Sequence, residues 1–537
     1  MKTIKILFAL SGLFLNSYSQ TTNNYWNLKN TAEWHLSSIP SKQLLIFPES
    51  SLQNDLGIGY NRARICWYRM EQLFQYMTPL TPAGIGYDQM QNHFVRDIPA
   101  NEVYSNNPAN FSMQILNVAY YPVERGPYNF DVNPTLYSNG IDMNGNLNTP
   151  ESRWGGIMQS IPKNIFTSNN LNYLGFWLMD PFVYDSTSNG GKLLINIGNV
   201  SEDILKDNRR SSEGGLPATS TVLNVDTTIW GRVSAITFPP ETFDNEYSLY
   251  YQDLGFDGHA NDDEILFYGN FLNSIAGAFG TGSTAYTLAI NDPSSDNYQY
   301  FLDPDYYFPE VGIFERHKKF NGTEGNTGIF DSGISPTGST LFPDDEDING
   351  NDILDTAENY YQYEIFLNRD SLIIGQNFLA DKKIVTPSNG DGSPVTWYKF
   401  LVPLNTNQRE IICNINNLDS SDFVRLVLKD FSQEVNLRFF ELAFVSNDLS
   451  SINEFHNNSP ISVYPNPSMG SVRIESSSQE INSIKVIDLL GRTIYSSNRI
   501  ENTTETTIDL SEFNAGLYFI EVGSQNNFSV HRIIIDK

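Results

Sequence analysis

The chain has 537 residues, a formal net charge of −29 and a pI near 4.5. This length exceeds one ordinary domain. The negative charge disfavours nucleic acid and anionic membrane surfaces as partners, because their phosphates would be repelled, and it suits the binding of divalent cations. Aromatic residues make up 13% of the chain, which argues against disorder and indicates a β-rich protein with polar loops.

The first residues have the pattern of a secretory signal peptide, which we place at residues 1–19. A basic start at residues 1–5 precedes an apolar run at 6–15, and small polar residues lead to a cut before Gln20. The apolar run is shorter than the ~20 residues that span a bilayer. No later stretch is long and apolar enough for a membrane helix. We therefore expect no membrane span and a secreted or cell-surface location.

Residues 20–445 carry short runs of β-branched, aromatic and other apolar residues between turn signals. This pattern predicts an all-β module, a large β-sandwich of jelly-roll type with a few short helices. Helix-start signals occur at residues 201–207, with a Ser cap and early acids, and at 261–264, with a capping box. Residues 277–282 predict a loose turn. The expected strands are residues 60–68, 112–118, 153–158, 173–181, 191–198, 360–367, 396–404, 423–428 and 436–445.

The two cysteines of the chain, Cys66 and Cys413, are far apart in sequence. They could pair across a long loop in an oxidising compartment, or they could be two separate thiols. Cys66 lies in the apolar run at residues 65–68, which favours a position in the core. The pattern leaves the pairing of the two cysteines open.

Residues 347–358 fit the spacing of a 12-residue calcium loop, in which a hard cation takes oxygen ligands from positions 1, 3, 5, 7, 9 and 12. Asp352 stands where the sharp turn of such a loop normally has glycine, although Asp tolerates a left-handed backbone better than most residues. The alternative is a solvated acidic turn before the strand at Tyr360. We expect a structural Ca²⁺, with the ligand positions filled by Asp347, Asn349, Asn351, the carbonyl of Ile353, Asp355 and Glu358.

A second group of acidic residues has two interpretations. It is either a helix cap beside a turn or a second ion site. Its members are Asp253, Asp257, Asp262, Asp263 and Glu264.

Signals for catalysis are weak. The six histidines are scattered without metal-ligand spacing, and neither a nucleophile elbow nor a phosphate-binding loop occurs. Asp180, Glu202 and Asp203 could be nominated for glycoside hydrolysis, but such residues more often cap loops or bridge. Aromatic side chains in acidic loops could stack on sugars or could be ordinary loop packing; they are Tyr298, Tyr300, Tyr306 and Tyr307.

The tail differs from the rest of the chain. A polar linker at residues 446–460 precedes short strands at even spacing, which predict a small immunoglobulin-like sandwich at residues 461–537. Pro465 and Pro467 end the first of these strands, because proline has no N–H group to donate to a neighbouring strand. The later strands are expected at residues 471–474, 484–487, 493–495, 507–510, 517–522 and 528–535.

The tail carries four motifs in order: YPNP at residues 464–467, IKVID at 484–488, LGR at 490–492 and AGLY at 515–518. These motifs resemble the C-terminal sorting domain of the type IX secretion system of Bacteroidetes. This resemblance implies export across the outer membrane with the type IX secretion machinery as a partner, followed by release or surface attachment. The alternative is an unrelated immunoglobulin-like accessory domain.

The middle of the chain, about residues 55–445, carries a second series of motifs. They are NRAR at residues 61–64, ERGPYN at 124–129, RWGGIM at 153–158, FWLMDPF at 176–182, NIGNVSEDILKD at 196–207, QDLGFDG at 252–258, KKFNGTEGN at 318–326 and EDIN at 346–349. In this order the motifs are similar to the SprA/Sov family of gliding motility and type IX secretion. The resemblance is to one module of that family rather than to a translocon, and the tail is typical of cargo.

Together these observations predict a non-enzymatic, exported protein that binds a surface or secretion partner. The unknown partner would be a surface protein or a glycan. Two rival functions remain. The aromatic loops support a polysaccharide-binding protein, and the abundance of carboxylates supports a secreted glycoside hydrolase.

Overall fold

The computed structural model describes residues 25–446 and 461–535, with gaps. The predicted signal peptide and the linker, apart from Ser446, lie outside the described residues. Within the described residues, no helix has the length and apolarity needed to cross a membrane. The gaps are residues 71–112 (except 74, 81–82, 84–85, 93 and 97–98), 213–224, 235–254, 307–309, 320–343, 389, 391, 466–467, 477–479, 489–492, 498–502, 515 and 525–526.

The chain divides into two compact units, Met1–Ser446 and Asn447–Lys537. Strands dominate both, so the predicted all-β class is confirmed. In the first unit the described strands are β1 (Tyr25–Asn27), β2 (His35–Leu36), β3 (Arg64–Tyr68), β4 (Ile115–Tyr121), β5 (Trp154–Ser160), β6 (Leu171–Met179), β7 (Gly191–Asn199), β8 (Val225–Thr227), β9 (Arg232–Ser234), β10 (Asn359–Leu367), β11 (Leu379–Val385), β12 (Val395–Pro403), β13 (Glu410–Ile412), β14 (Phe423–Lys429) and β15 (Val435–Ser446).

These strands form two large antiparallel sheets and one β8–β9 hairpin. The first sheet has the order β11-β12-β6-β15-β4-β3, with β1 also paired to β15, and the second has the order β13-β10-β7-β14-β5-β2. The chain crosses repeatedly from one sheet to the other, since β4, β6, β12 and β15 lie in the first and β5, β7, β10 and β14 in the second. The predicted large sandwich is confirmed.

The first sheet is apolar on both faces, which explains why β4 is buried along its whole length. Leu116, Val118 and Tyr120 point into the main core between the sheets. Ile115 and Ala119 belong to a second apolar cluster on the opposite face, which also contains residues from 300–313. Alternation of side chains along a strand sends successive residues to opposite faces, so both faces must be covered.

The short helices lie between the strands: α1 (Ile165–Ser168), α2 (Asn261–Phe267), α3 (Gly269–Phe279), α4 (Thr284–Asn291) and α5 (Ile313–Arg316). The sequence pattern predicted only the start of α2. The predicted turn at residues 277–282 is wrong in part, because Gly277 lies inside α3. The predicted helix at residues 201–207 is also wrong: this segment is an irregular loop, in which Glu202 accepts main-chain N–H groups of another segment and Asp203 accepts those of its own loop.

The second unit is a small sandwich, as expected. Sheets with the orders β16-β17-β20 and β19-β18-β21-β22 enclose one apolar core. Strand β17 illustrates how a strand covers this core with one face: Val472 and Ile474 are buried, and their neighbours in the strand are exposed. The described strands are β16 (Ile461–Tyr464), β17 (Ser471–Ser476), β18 (Ser483–Asp488), β19 (Thr493–Ser497), β20 (Glu505–Asp509), β21 (Gly516–Ser524) and β22 (Asn527–Ile535).

The two cysteines are not paired. Cys66 is buried in β3, as expected for its apolar run, and Cys413 is exposed. Burial raises the pKa of the Cys66 thiol to about 12, so this thiol is inert at neutral pH.

His317 is a titratable group in the core of the first unit. Its imidazole stacks on Tyr68 with ring centroids 4.1 Å apart, and its Nδ1 lies 2.7 Å from the carbonyl oxygen of Ile313. Burial lowers the pKa of His317 from 6.5 to about 4, with a smaller contribution from the charge of Arg316. The folded chain therefore holds this imidazole neutral at pH values at which the unfolded chain protonates it.

We expect His317 to destabilise the first unit as the pH falls from about 6.5 to about 4, because the unfolded state then takes up the proton first. His317→Gln removes this proton uptake. The difference in unfolding free energy between wild type and variant should shrink by up to about 3 kcal/mol over that range. Urea unfolding followed by tryptophan fluorescence is the measurement, since all seven tryptophans lie in the first unit. A difference that stays constant with pH would contradict this assignment.

Candidate functional site

The pairing of β7 with β10 brings two acidic loops together. These strands are antiparallel, with Asn199 opposite Asn359, so the end of β7 lies beside the start of β10. The segment that follows β7 and the segment that precedes β10 therefore meet at one end of the second sheet. We call residues 201–211 and 344–358 together the acidic junction.

Two buried glutamates join the two segments of the acidic junction through main-chain N–H groups. Glu202 Oε1 accepts from Asn349 N at 3.0 Å and Glu202 Oε2 accepts from Asp355 N at 3.1 Å. In the other direction, Glu346 accepts from the main-chain nitrogens of Ile204 at 2.7 Å and Ser211 at 2.8 Å. Each segment thus supplies a carboxylate that orders the backbone of the other.

Burial sets the electrostatics of these two glutamates. The pKa of Glu202 is raised to about 7, mainly by burial; the two main-chain N–H groups lower it, and the charges of Asp355 and Asp347 raise it. Burial also raises the pKa of Glu346 well above its ordinary value. A cation held by neighbouring oxygens would favour the ionised form of Glu202.

The predicted calcium loop has a tight backbone around Asp347. Asp347 Oδ1 accepts from Asn351 N at 2.9 Å, and Asp347 Oδ2 accepts from Asp352 N at 2.9 Å. Asp352 has a φ of 64°, the left-handed conformation that glycine usually supplies at this position of such a loop. The first loop residue thus orders the turn that follows it.

Four of the predicted ligand residues come together. Asp355 Oδ2 accepts from the side-chain nitrogens of Asn349 at 2.8 Å and Asn351 at 3.2 Å, and Asn349 Oδ1 accepts from Asn351 N at 3.1 Å. Asp347 contacts the same Asn351 nitrogen. The side chain of Ile353 is exposed, and its N–H donates to Asn351 Oδ1 at 2.8 Å. The calcium site itself stays a prediction.

Glu358, the sixth predicted ligand, has another partner. Its Oε1 lies 2.9 Å from Arg425 Nη1 and its Oε2 lies 3.2 Å from Arg425 Nη2, and both side chains are 0% exposed. Ser201 N also donates to Glu358 Oε1, at 3.1 Å. The structure therefore pairs the Glu358 carboxylate with Arg425, in a bidentate ion pair, and not with the four ligand residues that come together in the loop.

Arginines carry the compensating charge at the junction. Arg210 binds both oxygens of Asp345 at 2.9 Å and lies 3.0 Å from Asp347 Oδ2. Arg425 on β14 also donates to Asn196 Oδ1 on β7 at 2.9 Å. A buried charge of this kind is stable only when it is paired and hydrogen-bonded.

The sequence pattern missed Glu202, Arg210 and Arg425 as members of this site. By sequence, Glu202 is a candidate for hydrolysis, and Arg425 lies within the apolar run that predicts the strand at residues 423–428. Nothing in the order of the residues tells which loops meet at the end of a sheet. An arginine within an apolar strand was the one available signal of a buried ion pair.

The carboxylates nominated for glycoside hydrolysis have structural partners. Asp180 accepts from Phe182 N at 2.9 Å, and Asp203 accepts from Asp207 N and Asn208 N, each at 3.0 Å. Asp180, Glu202 and Asp203 are all buried. These carboxylates cap loops, as the alternative interpretation held.

The tyrosines nominated for sugar stacking are not presented to solvent as a platform. Tyr300 and Tyr306 are buried, and Tyr298 packs against the second apolar cluster. Tyr307 lies outside the described residues. Ordinary loop packing therefore accounts for the three that are described.

The second acidic group is divided by the structure. Asp257 and Glu264 lie together, and their third neighbour is Asp296. Asp263 instead faces Arg232 at 3.8 Å. The predicted capping box is wrong, since Ala260 caps α2 and Glu264 accepts from Ser294 N at 3.0 Å. Asp253 lies outside the described residues.

The fold and these loops define a mostly β protein of two compact units whose loops are ordered by buried carboxylates. Residues 270–511 match the SprA_N family model, described as a motility related/secretion protein. This match relates the chain to SprA-type motility and secretion proteins. It begins later than the predicted resemblance at residue 55, covers somewhat under half of the chain and continues into the second unit.

Two further comparisons complete the picture. No curated protein matches the chain. Among solved structures, the chain is similar to a DUF3244 family protein with an immunoglobulin-like β-sandwich fold from Bacteroides vulgatus ATCC 8482. The identity is 19%, the alignment covers 14% of this chain and 86% of that chain, and the TM-score is 0.13.

We expect Glu358→Gln to destabilise the first unit by about 3–5 kcal/mol, because it leaves the charge of Arg425 buried without its counter-ion. Replacing both residues, Glu358→Gln with Arg425→Met, should cost less than the sum of the two single changes. Urea unfolding followed by tryptophan fluorescence measures these free energies.

Glu364→Gln on β10 is the matched control for this pair. Glu364 lies 3.2 Å from Lys192, but its side chain is 35% exposed, so its loss should cost less than about 1 kcal/mol. Equal costs for Glu358→Gln and Glu364→Gln would show that burial does not set the strength of the Arg425 pair.

Proposed function

We propose that this chain is a non-enzymatic exported protein of the secretion and gliding-motility apparatus, which acts at the cell surface or after release by binding a partner. The observation that carries the proposal is the match of residues 270–511 to the motility related/secretion family. The partner would be another surface or secretion component, either a protein or a glycan.

The arrangement of carboxylates supports binding rather than hydrolysis. Hydrolysis of a glycosidic bond needs two carboxyl groups that face a substrate from opposite sides. Asp180, Glu202 and Asp203 instead accept hydrogen bonds from main-chain N–H groups of the loops around them. The buried tyrosines likewise speak against a sugar-stacking platform, so we place the two rival functions behind the partner-binding role.

The second unit is a small β-sandwich of its own, and we propose that it is the export address. Its strands carry the motifs that resemble the C-terminal sorting domain of type IX secretion, such as IKVID within β18. The type IX secretion machinery would then be the partner during export. The tail needs no chemistry of its own for this role.

Deletion of residues 461–537 tests the export proposal. The full chain should reach the surface or the medium of its host, and the truncated chain should stay inside while remaining folded. Its fold can be verified by tryptophan fluorescence, because no tryptophan lies in the second unit. Immunoblots of cell fractions are the measurement, and a truncated chain found outside the cell would contradict the proposal.

The nature of the partner can be tested in the same host. Affinity purification of the tagged full chain should enrich surface or secretion proteins over a tagged unrelated cargo. A glycan array and a reducing-sugar release assay address the rivals. Strong glycan binding without a protein partner would favour the polysaccharide-binding function, and release of reducing sugar would favour the hydrolase.

We further propose that the loop at residues 347–355 binds a structural Ca²⁺, with Asp347, Asn349, Asn351 and Asp355 as side-chain ligands. Asp355→Asn should weaken this site by about tenfold or more, because it removes a charged oxygen ligand at its centre. Isothermal titration of the chelator-treated mature chain with CaCl₂ measures the loss of one binding event.

The matched control for the loop is Asp370→Asn. Asp370 carries the same charge but lies in an exposed turn just after β10, at the opposite end of that strand from the loop. Its titration with CaCl₂ should equal that of the wild type. Identical titrations for wild type and Asp355→Asn would remove the loop as a calcium site.

A further inference from the structure

Three buried carboxylates meet around the helical segment at residues 261–291. Asp257 lies in the turn before α2, Glu264 lies in α2, and Asp296 lies in the loop after α4. Their exposed fractions are 7%, 1% and 8%, and one oxygen from each lies within 4.8 Å of the other two. The three side chains come from both ends of the segment and from its first helix.

The hydrogen-bond donors around this cluster do not satisfy all of its oxygens. Asp257 Oδ1 accepts from His259 N at 2.8 Å, and Ser294 donates its N–H to Glu264 Oε2 at 3.0 Å and its hydroxyl to Asp296 Oδ1 at 2.7 Å. In the described part of the chain, no hydrogen bond reaches Glu264 Oε1 or Asp296 Oδ2.

The hydroxyl of Tyr268 cannot serve both of its neighbours. Its oxygen lies 2.5 Å from the carbonyl oxygen of Trp230 and 3.1 Å from Asp257 Oδ2, but it has only one proton to donate. If the shorter bond takes that proton, Asp257 Oδ2 faces an oxygen without a donor. Something else must then neutralise this carboxylate.

The charge of the cluster also has no counter-ion among the described residues. None of their basic side chains lies within 4.0 Å of Asp257, Glu264 or Asp296, whereas the neighbouring acids Asp263 and Asp292 do have basic partners. The nearby guanidinium of Arg125 donates to the carbonyl oxygens of Asn129 and Pro293. Buried carboxylates in such a group are unfavourable unless a cation or shared protons compensate them.

A small cavity adjoins two of the carboxylates, although most of its lining is apolar. It has a volume of about 10 Å³, close to that of one water molecule, and Asp257, Asp296 and Trp230 contribute to its lining. The indole of Trp230 is 3% exposed, and its Nε1–H has no hydrogen-bond partner among the described residues. The residues around this space thus include two of the carboxylates and a residue with an unsatisfied donor.

We propose that Asp257, Glu264 and Asp296 form a calcium site that fastens both ends of the helical segment to one another. Carboxylate oxygens are the ligands that a hard cation prefers. One oxygen from each of three carboxylates within 4.8 Å of one another can reach a single shared cation. Ca²⁺ accepts carboxylates in flexible geometry, whereas Mg²⁺ demands a near-ideal octahedron and usually keeps several of its waters.

The ion would act as a structural fastener of a part of the chain that has few strands to hold it. Helices α2, α3 and α4 pack on the main core through Tyr268, Phe271 and Ala285. Asp257 precedes these helices and Asp296 follows them, so one ion ties the entry and exit of the segment to the first turns of α2. This role is independent of the proposed export function.

Shared protons are the competing way to compensate the three carboxylates. Without an ion, burial raises the pKa of Asp257 and of Asp296 well above its ordinary value and that of Glu264 to about 7. The two alternatives differ in their response to calcium, which only an ion site shows.

Calcium titration of the chelator-treated mature chain, residues 20–537, tests the proposal by calorimetry and thermal melting. The Asp296→Asn chain should bind one Ca²⁺ fewer than the wild type, and calcium should raise its melting temperature by several degrees less. Asp355→Asn, in the loop of the acidic junction, is the control that retains the cluster. Tryptophan fluorescence checks folding, and Glu264→Gln is the second variant should Asp296→Asn fail to fold.

Two outcomes would overturn the proposal. One is an unchanged number of bound Ca²⁺ in both Asp296→Asn and Glu264→Gln. The other is that calcium leaves the melting temperature of the wild type unchanged and that the Asp296→Asn chain melts at a higher temperature than the wild type. This combination is expected of carboxylates that share protons. A single wild-type site that survives Asp355→Asn and disappears in Asp296→Asn would support the cluster and remove only the loop.

Discussion

The antiparallel pairing of β7 with β10 is the constraint on which the candidate site depends. Because Asn199 lies opposite Asn359, two loops that are far apart in the chain must meet at one end of the second sheet. Arg425 on β14, the other neighbour of β7, then lies beneath them and pairs with Glu358. Register, more than any single residue, decides which charges face one another.

Buried carboxylates recur in this acidic chain as acceptors for the main chain. Glu202 and Glu346 bind backbone N–H groups across the acidic junction, and Asp203 does so within its own loop. A long loop carries many polar groups that no sheet satisfies, and a carboxylate can accept several of them at once. The excess of acids thus has a structural use in ordering the loops.

Long connections ordered in this way suit a protein that presents surfaces to partners. The sandwich supplies a rigid frame, and the loops between its strands are where binding residues usually lie. Residues 270–511 relate the chain to motility and secretion proteins, and the binding role is the one proposed above. Cations at the loops would stiffen the presented surfaces without adding chemistry.

The sequence by itself determined most of the long strands, the all-β class and the small sandwich of the tail, but not β11 or the short strands β1, β2, β8, β9 and β13. A buried apolar run, as at residues 191–198, and alternation of apolar and polar residues, as at 471–474, are local properties, so they identify strands without knowledge of their neighbours. The spacing of Asp347, Asn349, Asn351 and Asp355 was local too, and these side chains do converge. Helices α3 and α4 escaped prediction because glycines at their ends and interior resemble turn signals.

Tertiary structure alone decided which distant residues share a site. Glu358 fits a calcium loop by spacing, yet its position in the sandwich places it against the buried charge of Arg425. Asp296 joins Asp257 and Glu264 only because the helical segment folds back on itself. Strand register and packing decide which residues that are remote in sequence become neighbours. Neither can be read directly from a single amino-acid sequence.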